Sequence, residues 1–436
     1  MSLCAVMTFT TSALAALFAT SIQLPGGPPV GMDYLTYDRT NDRIWVPAGN
    51  TGNIDVIDLP TGKVSVLDGF VTAAPRRPGR PRMGPSSATV ANGVVWVGNR
   101  GDDQLRGFDA RTLAPVGSLQ LSVMPDGLAY VAPTHEVWAT TPADKGIKVI
   151  SVDGKAARVV GDVKVDGSPE GYAVDESRGL FYSNLEDKDR TLAIDVRTRK
   201  VVGSWPAGCG AEGPRGLAID TERRWLFVAC TDGAAVFDLA HEGQQKGRLK
   251  TGGGVDNLDY DAQRRRLFIA AGKDGLLTIA HVTDDGALEA SATVPTGNRA
   301  RNPVVDARGT VYVEDSERGQ LLVIDPEAAV HGAPVIHEPQ PGLLAKAKID
   351  PATATATARA RLPSARLVNA EIEREHGKLI YSFDFETDGK SGSDEVTVDA
   401  VTGKVLNVSH ESPADEEREK AAEAKAAAKK AARDKR

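Results

Sequence analysis

Acidic and amide residues recur in this chain where short apolar runs begin. Asp33, Asp126, Glu170, Asp256, Asn257 and Asn302 stand at such points, and Ser87, Arg215 and Arg301 take the same place in other runs. A second set closes the apolar runs that follow: Asn50, Asn99, Asn184, Cys230, Lys273 and Glu314. Carboxylates and amides that converge on one point could hold Ca²⁺ or a similar hard cation. Such a cation can activate water, the chemistry of a lactonase-like hydrolase. The same residues could instead line a wet polar channel through Asp–Arg pairing, for instance Glu170 or Asp256 with Arg215. No HExxH, CxxC, GxSxG or GxxxxGKS/T pattern is present, and the seven histidines never fall four residues apart.

The elements that must position these residues repeat. Each copy is an apolar strand ending in Asp, a polar turn and a second apolar strand, as in MDYLTYDRTNDRIWVPAG from Met32 and VDNLDYDAQRRRLFIAAG from Val255. A third strand follows, whose equivalent positions are Asp58, Asp109, Asp153, Asp195, Asp238, His281 and Asp325. They lie about 42–51 residues apart, the spacing of four-stranded propeller blades. The expected fold is all-β: a seven-bladed β-propeller, then a small α+β domain. In such a ring the strand starts and ends named above meet at the mouth of a central channel. The candidate ligand-binding set is therefore Asp33, Asp126, Glu170, Asn184, Arg215, Asp256, Asn257, Lys273 and Asn302. The recurrent Asp38, Asp175, Asp220, Asp261 and Asp306 belong to turns and are expected to be structural.

SIQLPGG (Ser21–Gly27) resembles the fourth strands elsewhere, so the N-terminus is expected to complete the last blade and remove an open edge. HGAPVIHEP (His331–Pro339) is the competing candidate. The D-x-x-T-x-x-V pattern at Asp58–Val64 and Asp195–Val201 resembles the YVTN-type repeat. GLAID…RRWLFVAC and GVDNLDYD…RRRLFIAAGKDG look like the bacterial YncE-like propellers of that WD40-like class. The resemblance implies a fold and leaves the activity open.

After Pro341 the pattern changes. Leu343–Pro363 reads as an alanine-spaced helix, and Ala365–Glu411 as an antiparallel meander with turns at His376-Gly377, Asp388-Gly389 and Thr402-Gly403. Its residues Ala370-Glu371-Ile372, Gly377–Tyr381 and VDAVTGKV (Val398–Val405) resemble a PepSY domain. That likeness implies an extracytoplasmic binding module, with a peptidase as one conceivable partner. The expected organisation is a signal segment at 1–19, a propeller at 20–335, a linker at 336–342, the PepSY-like domain at 343–411 and a charged Ala/Lys/Glu tail at 412–436.

The first residues, MSLCAVMTFTTSALAALFATS, are apolar and end in small residues, like the core and cleavage zone of a secretory signal without its basic start. The expected location is periplasmic or extracellular, where disulfides form and persist. Pairing the hairpin Gly216–Asp220 with Trp225–Cys230 sets Cys230 opposite Arg215, on the face of Cys209, so a Cys209–Cys230 disulfide is expected. The net charge of −7 argues against a dedicated nucleic-acid binder. The basic insertion PRRPGRPR (Pro75–Arg82) has no interleaved aromatics for stacking on single strands. The expected function is binding or scaffolding of a protein or small ligand by a monomer without a transmembrane span in its mature form. The alternatives are the metal-dependent hydrolase and single-stranded nucleic-acid binding.

Overall fold

The computed structural model of the 436-residue chain describes residues 19–75, 79, 81–153, 156–331, 336, 338, 342–362, 365–375, 377–387 and 390–412. Most of the expected signal segment, much of the basic insertion, and the tail beyond Ser412 lie outside the described residues. So do His376, Asp388 and Gly389 of the expected turns. Two compact units divide the described chain, one from Ser21 to Pro326 and the other from Glu327 onward, with Ala19 and Thr20 assigned to the latter.

In the first unit the repeat folds as seven four-stranded sheets. Each keeps its strands in sequence order, except that the seventh takes Ala19–Gln23 as its outer strand beside Gln320–Ile324. The seam is held by Leu24 N–H donating to the Gly319 carbonyl at 2.9 Å, and by Gln23 Nε2 donating to the same carbonyl at 2.9 Å. Of the competing stretch His331–Pro339, His331 ends a short helix, Pro326–His331, and most of the remainder lies outside the described residues. First strands of successive sheets touch one another, and that of the seventh touches that of the first, so the circle is closed. This is a β-propeller-like arrangement.

Apolar clusters fill the spaces between sheets. Every second strand has a buried aromatic at an equivalent position, Trp45, Trp96, Trp138, Tyr182, Phe227, Phe268 and Tyr312, and two of these strands also bury Phe181 and Trp225. Each of the seven pairs across the hairpin with Thr36, Thr89, Ala129, Ala173, Ala218, Asp259 or Val304, respectively. A compact residue opposite a large ring lets neighbouring sheets interdigitate. The five recurrent turn aspartates are buried, and each accepts at least one backbone N–H of its own turn; Asp38 binds those of Thr40 and Asn41, and Asp306 those of Arg308 and Thr310. In the third sheet the register corrects the sequence alignment. Ser151, not Asp153, stands opposite the start of the second strand, as Asp58 does in the first sheet.

The second unit holds the eighth four-stranded sheet, Arg366–Glu375, Lys378–Glu386, Ser393–Asp399 and Val405–Glu411. One helix, Pro351–Arg359, buries Ala354 and Ala358 against Ile372, Tyr381 and Phe383 of one sheet face. The helix is shorter than the expected Leu343–Pro363. Proline is favoured in the first turn and disruptive further in, so Pro351 marks a start, and Asp350 caps it by accepting from Thr353 N–H. A single 3₁₀ turn, Leu344–Lys346, precedes it. No helix among the described residues is long and apolar enough to cross a membrane.

Candidate functional site

The first strands do not run straight to the mouth. Their pairing with the second strands breaks between Pro85 and Ser87, Pro169 and Tyr172, Pro214 and Leu217, and Val255 and Leu258. A bulge re-aims the residues inside it. Those residues are Ser86, Glu170-Gly171, Arg215-Gly216 and Asp256-Asn257, so four of the nine expected site residues, Glu170, Arg215, Asp256 and Asn257, sit on bulges. The break also moves Cys230 opposite Pro214 rather than Arg215. The strands crowd there. A Cβ on Gly171 would lie 2.3 Å from the Arg215 carbonyl oxygen, and one on Gly216 would lie 2.0 Å from Asn257 Oδ1.

Asp33, Asp126, Glu170, Arg215 and Asp256 line one cavity of about 440 Å³, together with Arg100 and Arg301. The two added arginines organise the carboxylates. Arg100 reaches Asp33 at 3.0 Å and also binds Asp126. Arg301 reaches Asp256 at 2.9 Å and Glu314 at 3.4 Å. Arg215 pairs with Glu186, and not with Glu170 or Asp256 as the sequence suggested. Among the described residues no arginine forms an ion pair with Glu170; the Tyr34 hydroxyl donates to it at 3.3 Å.

The other expected residues divide by role. Asn184 is a brace: its amide donates to the Arg215 carbonyl at 2.6 Å and accepts from Thr191 at 2.8 Å. Asn302 is buried and donates to Glu314 at 2.9 Å. Asn257 faces the channel below the mouth, where residues of all seven first strands line a cavity of about 520 Å³. Lys273 is exposed and lines neither cavity. Arg100 was missed by stopping at Asn99, one residue short of it. Its position directly after a second strand was the available signal.

Burial raises the pKa of Asp126, and Arg100 works against that rise. Glu170 is raised well above the usual carboxylate range, by burial first and then by Asp126 and Asp256. Burial likewise raises Glu314, with Arg301 opposing it. The field of Asp256 holds Arg301 firmly charged. The mouth is therefore a set of arginine-clamped carboxyls, with Glu170 held by the Tyr34 hydroxyl instead. Such a surface can orient a polar ligand and exchange hydrogen bonds with it. Among the described residues, no three His, Cys, Asp or Glu side chains are disposed to hold a metal ion.

Cys209 and Cys230 form a disulfide. It ties the loop before the fifth sheet to that sheet's second strand, and Asp189 accepts from the Cys209 and Gly210 N–H groups at 2.8 and 3.0 Å. A closure of this length contributes about 3 kcal/mol in the chain-entropy description.

Residues 348–409 match the PepSY family, described as peptidase propeptide and YPEB domain. None of the curated proteins compared with the chain matches it. Similar solved structures include one from the mitotic checkpoint complex, with 13% identity and a TM-score of 0.59, covering 74% of this chain and 97% of that one. Hydrazine synthase of Kuenenia stuttgartiensis gives 14% identity and a TM-score of 0.57, over 69% of this chain and 97% of the other. The Cps50 (Swd1) β-propeller domain of Myceliophteria thermophila gives 11% and 0.55, over 69% and 98%. At these identities the likeness concerns the fold alone. The chain thus joins a β-propeller-like fold to a C-terminal PepSY domain.

Proposed function

We propose that this is an exported bacterial binding and scaffold protein without catalytic activity. In this reading the seven sheets are the blades of a YVTN-type, YncE-like propeller, spanning residues 20–335. Its mouth binds a protein or small ligand, and a PepSY module at 343–411 offers a second binding surface, a peptidase being one candidate partner. The observation that carries the reading is the pairing at the mouth. Asp33, Asp126, Asp256 and Glu314 are engaged by Arg100 and Arg301, which suits recognition better than metal ligation. The PepSY match and the disulfide both suit an oxidising compartment outside the cytoplasm.

The test is a pull-down from envelope extract with the mature protein, with a Glu170→Gln/Asp256→Asn variant, and with a chain lacking residues 343–436. Partners lost only in the mouth variant assign binding to the channel; partners lost only on truncation assign it to PepSY. Metal content and turnover of lactones and esters are measured on the same preparation. Stoichiometric Ca²⁺ with turnover that both vanish in the mouth variant would replace this reading with the hydrolase.

A further inference from the structure

One buried acid takes no part in the mouth. Asp55 lies in the third strand of the first sheet (Asn53–Asp58), opposite Val46 on one side and Val66 on the other. Paired residues share a sheet face. Val46 belongs to the cluster that joins the first sheet to the seventh, with Ile44 and Ile57, with Leu321, and with Ile22 and Leu24 of the closing segment. Asp55 is 0% exposed, and among the described residues neither of its oxygens has a hydrogen-bond partner.

Among the described residues no cation pairs with it, and the charges of the packed strands have partners of their own: in Val311–Asp315 of the seventh sheet, Glu314 is engaged by Arg301 and Asp315 by Arg318. Arg43 begins the second strand and pairs with Asp58 at 3.5 Å. Lys63 begins the fourth strand and stands opposite Asp58. The closing strand ATSIQ and the neighbouring QLLVI contain no charged residue. The corresponding positions in the other six sheets are Arg106, Lys148, Leu192, Ala235, Thr278 and Leu322. Lys148 is engaged by Asp144 and Asp162, and Arg106 donates to the Gly69 carbonyl. Asp55 is the only acid among the seven, and it stands at the seam where the strand Ala19–Gln23 joins the seventh sheet.

A neutral carboxyl costs little in that apolar cluster, whereas an unpaired carboxylate is expensive. We propose that Asp55 makes ring closure pH-sensitive: its ionisation weakens the contact between the first and seventh sheets and eases release of the N-terminal strand. Burial pushes its pKa up to about 7 from 3.8. A folded-state value above the unfolded one gives stability that is complete below about pH 4 and is lost as pH rises through 7. Asp126, Glu170, Asp259 and Glu314 are raised too and titrate in the same direction. The informative quantity is thus the difference between the native chain and Asp55→Asn.

Urea unfolding of both full-length chains from pH 4 to 8 measures that difference. The folded-to-unfolded ratio of the native chain should fall roughly a thousandfold relative to the variant across that range. Parallel curves would overturn the proposal. Hydrogen exchange of residues 19–24, corrected for intrinsic rates and referenced to Trp225–Cys230, locates the effect. Protection should fall with pH in the native chain and stay level in Asp55→Asn; equal behaviour would overturn the assignment to the seam. Should the variant fail to fold, the carboxyl ¹³C titration of Asp55 in the native chain decides. A midpoint near 7 supports the proposal, and one near 4 refutes it.

Discussion

Asp126 and Asp55 are both buried carboxylates in the same ring, and the fold treats them in opposite ways. At the mouth, Arg100 binds Asp126 and Asp33 together. At the seam, Asp55 has apolar neighbours on both flanking strands and no partner among the described residues. Burial raises the pKa of each, but only Asp126 has a cation working against the rise. The difference separates two uses of a buried acid. A clamped one maintains a shaped polar surface over a wide pH range; a bare one ties the packing around it to proton activity.

Removing the clamp should have the largest effect. Arg100→Leu leaves Asp33 and Asp126 uncompensated and should cost about 4 kcal/mol by urea unfolding at pH 7. Adding Asp126→Asn should restore part of that loss, since the pair is coupled. The converse experiment supplies a partner at the seam. Val66 faces Asp55 from the half-exposed fourth strand, so Val66→Lys can bring an ammonium within reach while its head stays near water. It should stabilise the protein by about 2 kcal/mol at pH 8 and leave stability at pH 4 nearly unchanged. Gly171→Ala tests whether the mouth depends on the crowded bulges; it should cost about 2 kcal/mol and weaken any ligand that depends on Glu170. The smallest change should come from Arg265→Ala. Its partner Asp284 is almost fully exposed, and the loss should stay within about 0.5 kcal/mol in the same assay.

Much of the ring was legible because the repeat carries its own chemistry. The turn aspartates recur where a side chain must accept backbone N–H groups, and the seven third strands keep a regular spacing. Closure by the N-terminal strand could be read from the likeness of SIQLPGG to the other outer strands. The C-terminal meander followed from alternation and glycine turns, and its PepSY likeness from Ala370–Ile372, Gly377–Tyr381 and Val398–Val405. Where the reading failed, geometry intervened. Arg215 turned to Glu186 because the bulge aims it across the gap between two sheets, which no linear spacing reveals. Ser151 replaced Asp153 because register is decided by cross-strand pairing, not by residue type. Asp55 gave no signal at all. In NIDVID it alternates with Ile54 and Val56, as a solvent-facing residue would, and only the seventh sheet packing on that face makes it buried.

The seam also has a temporal side. Gln23 bonds to Gly319 across a sequence separation of 296 residues. The first sheet can pair within itself as soon as its hairpins exist, but the last cannot gain its outer strand until nearly the whole ring has been synthesised. Contacts so distant in sequence form slowly, because loop-closure entropy must be met before they reward it. Until then Gln320–Ile324 has one side without a partner, a template for strands of other chains. The joining of the ends is therefore expected to be the last step of assembly. It is also the step at which a crowded compartment can divert the chain into a dimer by strand exchange.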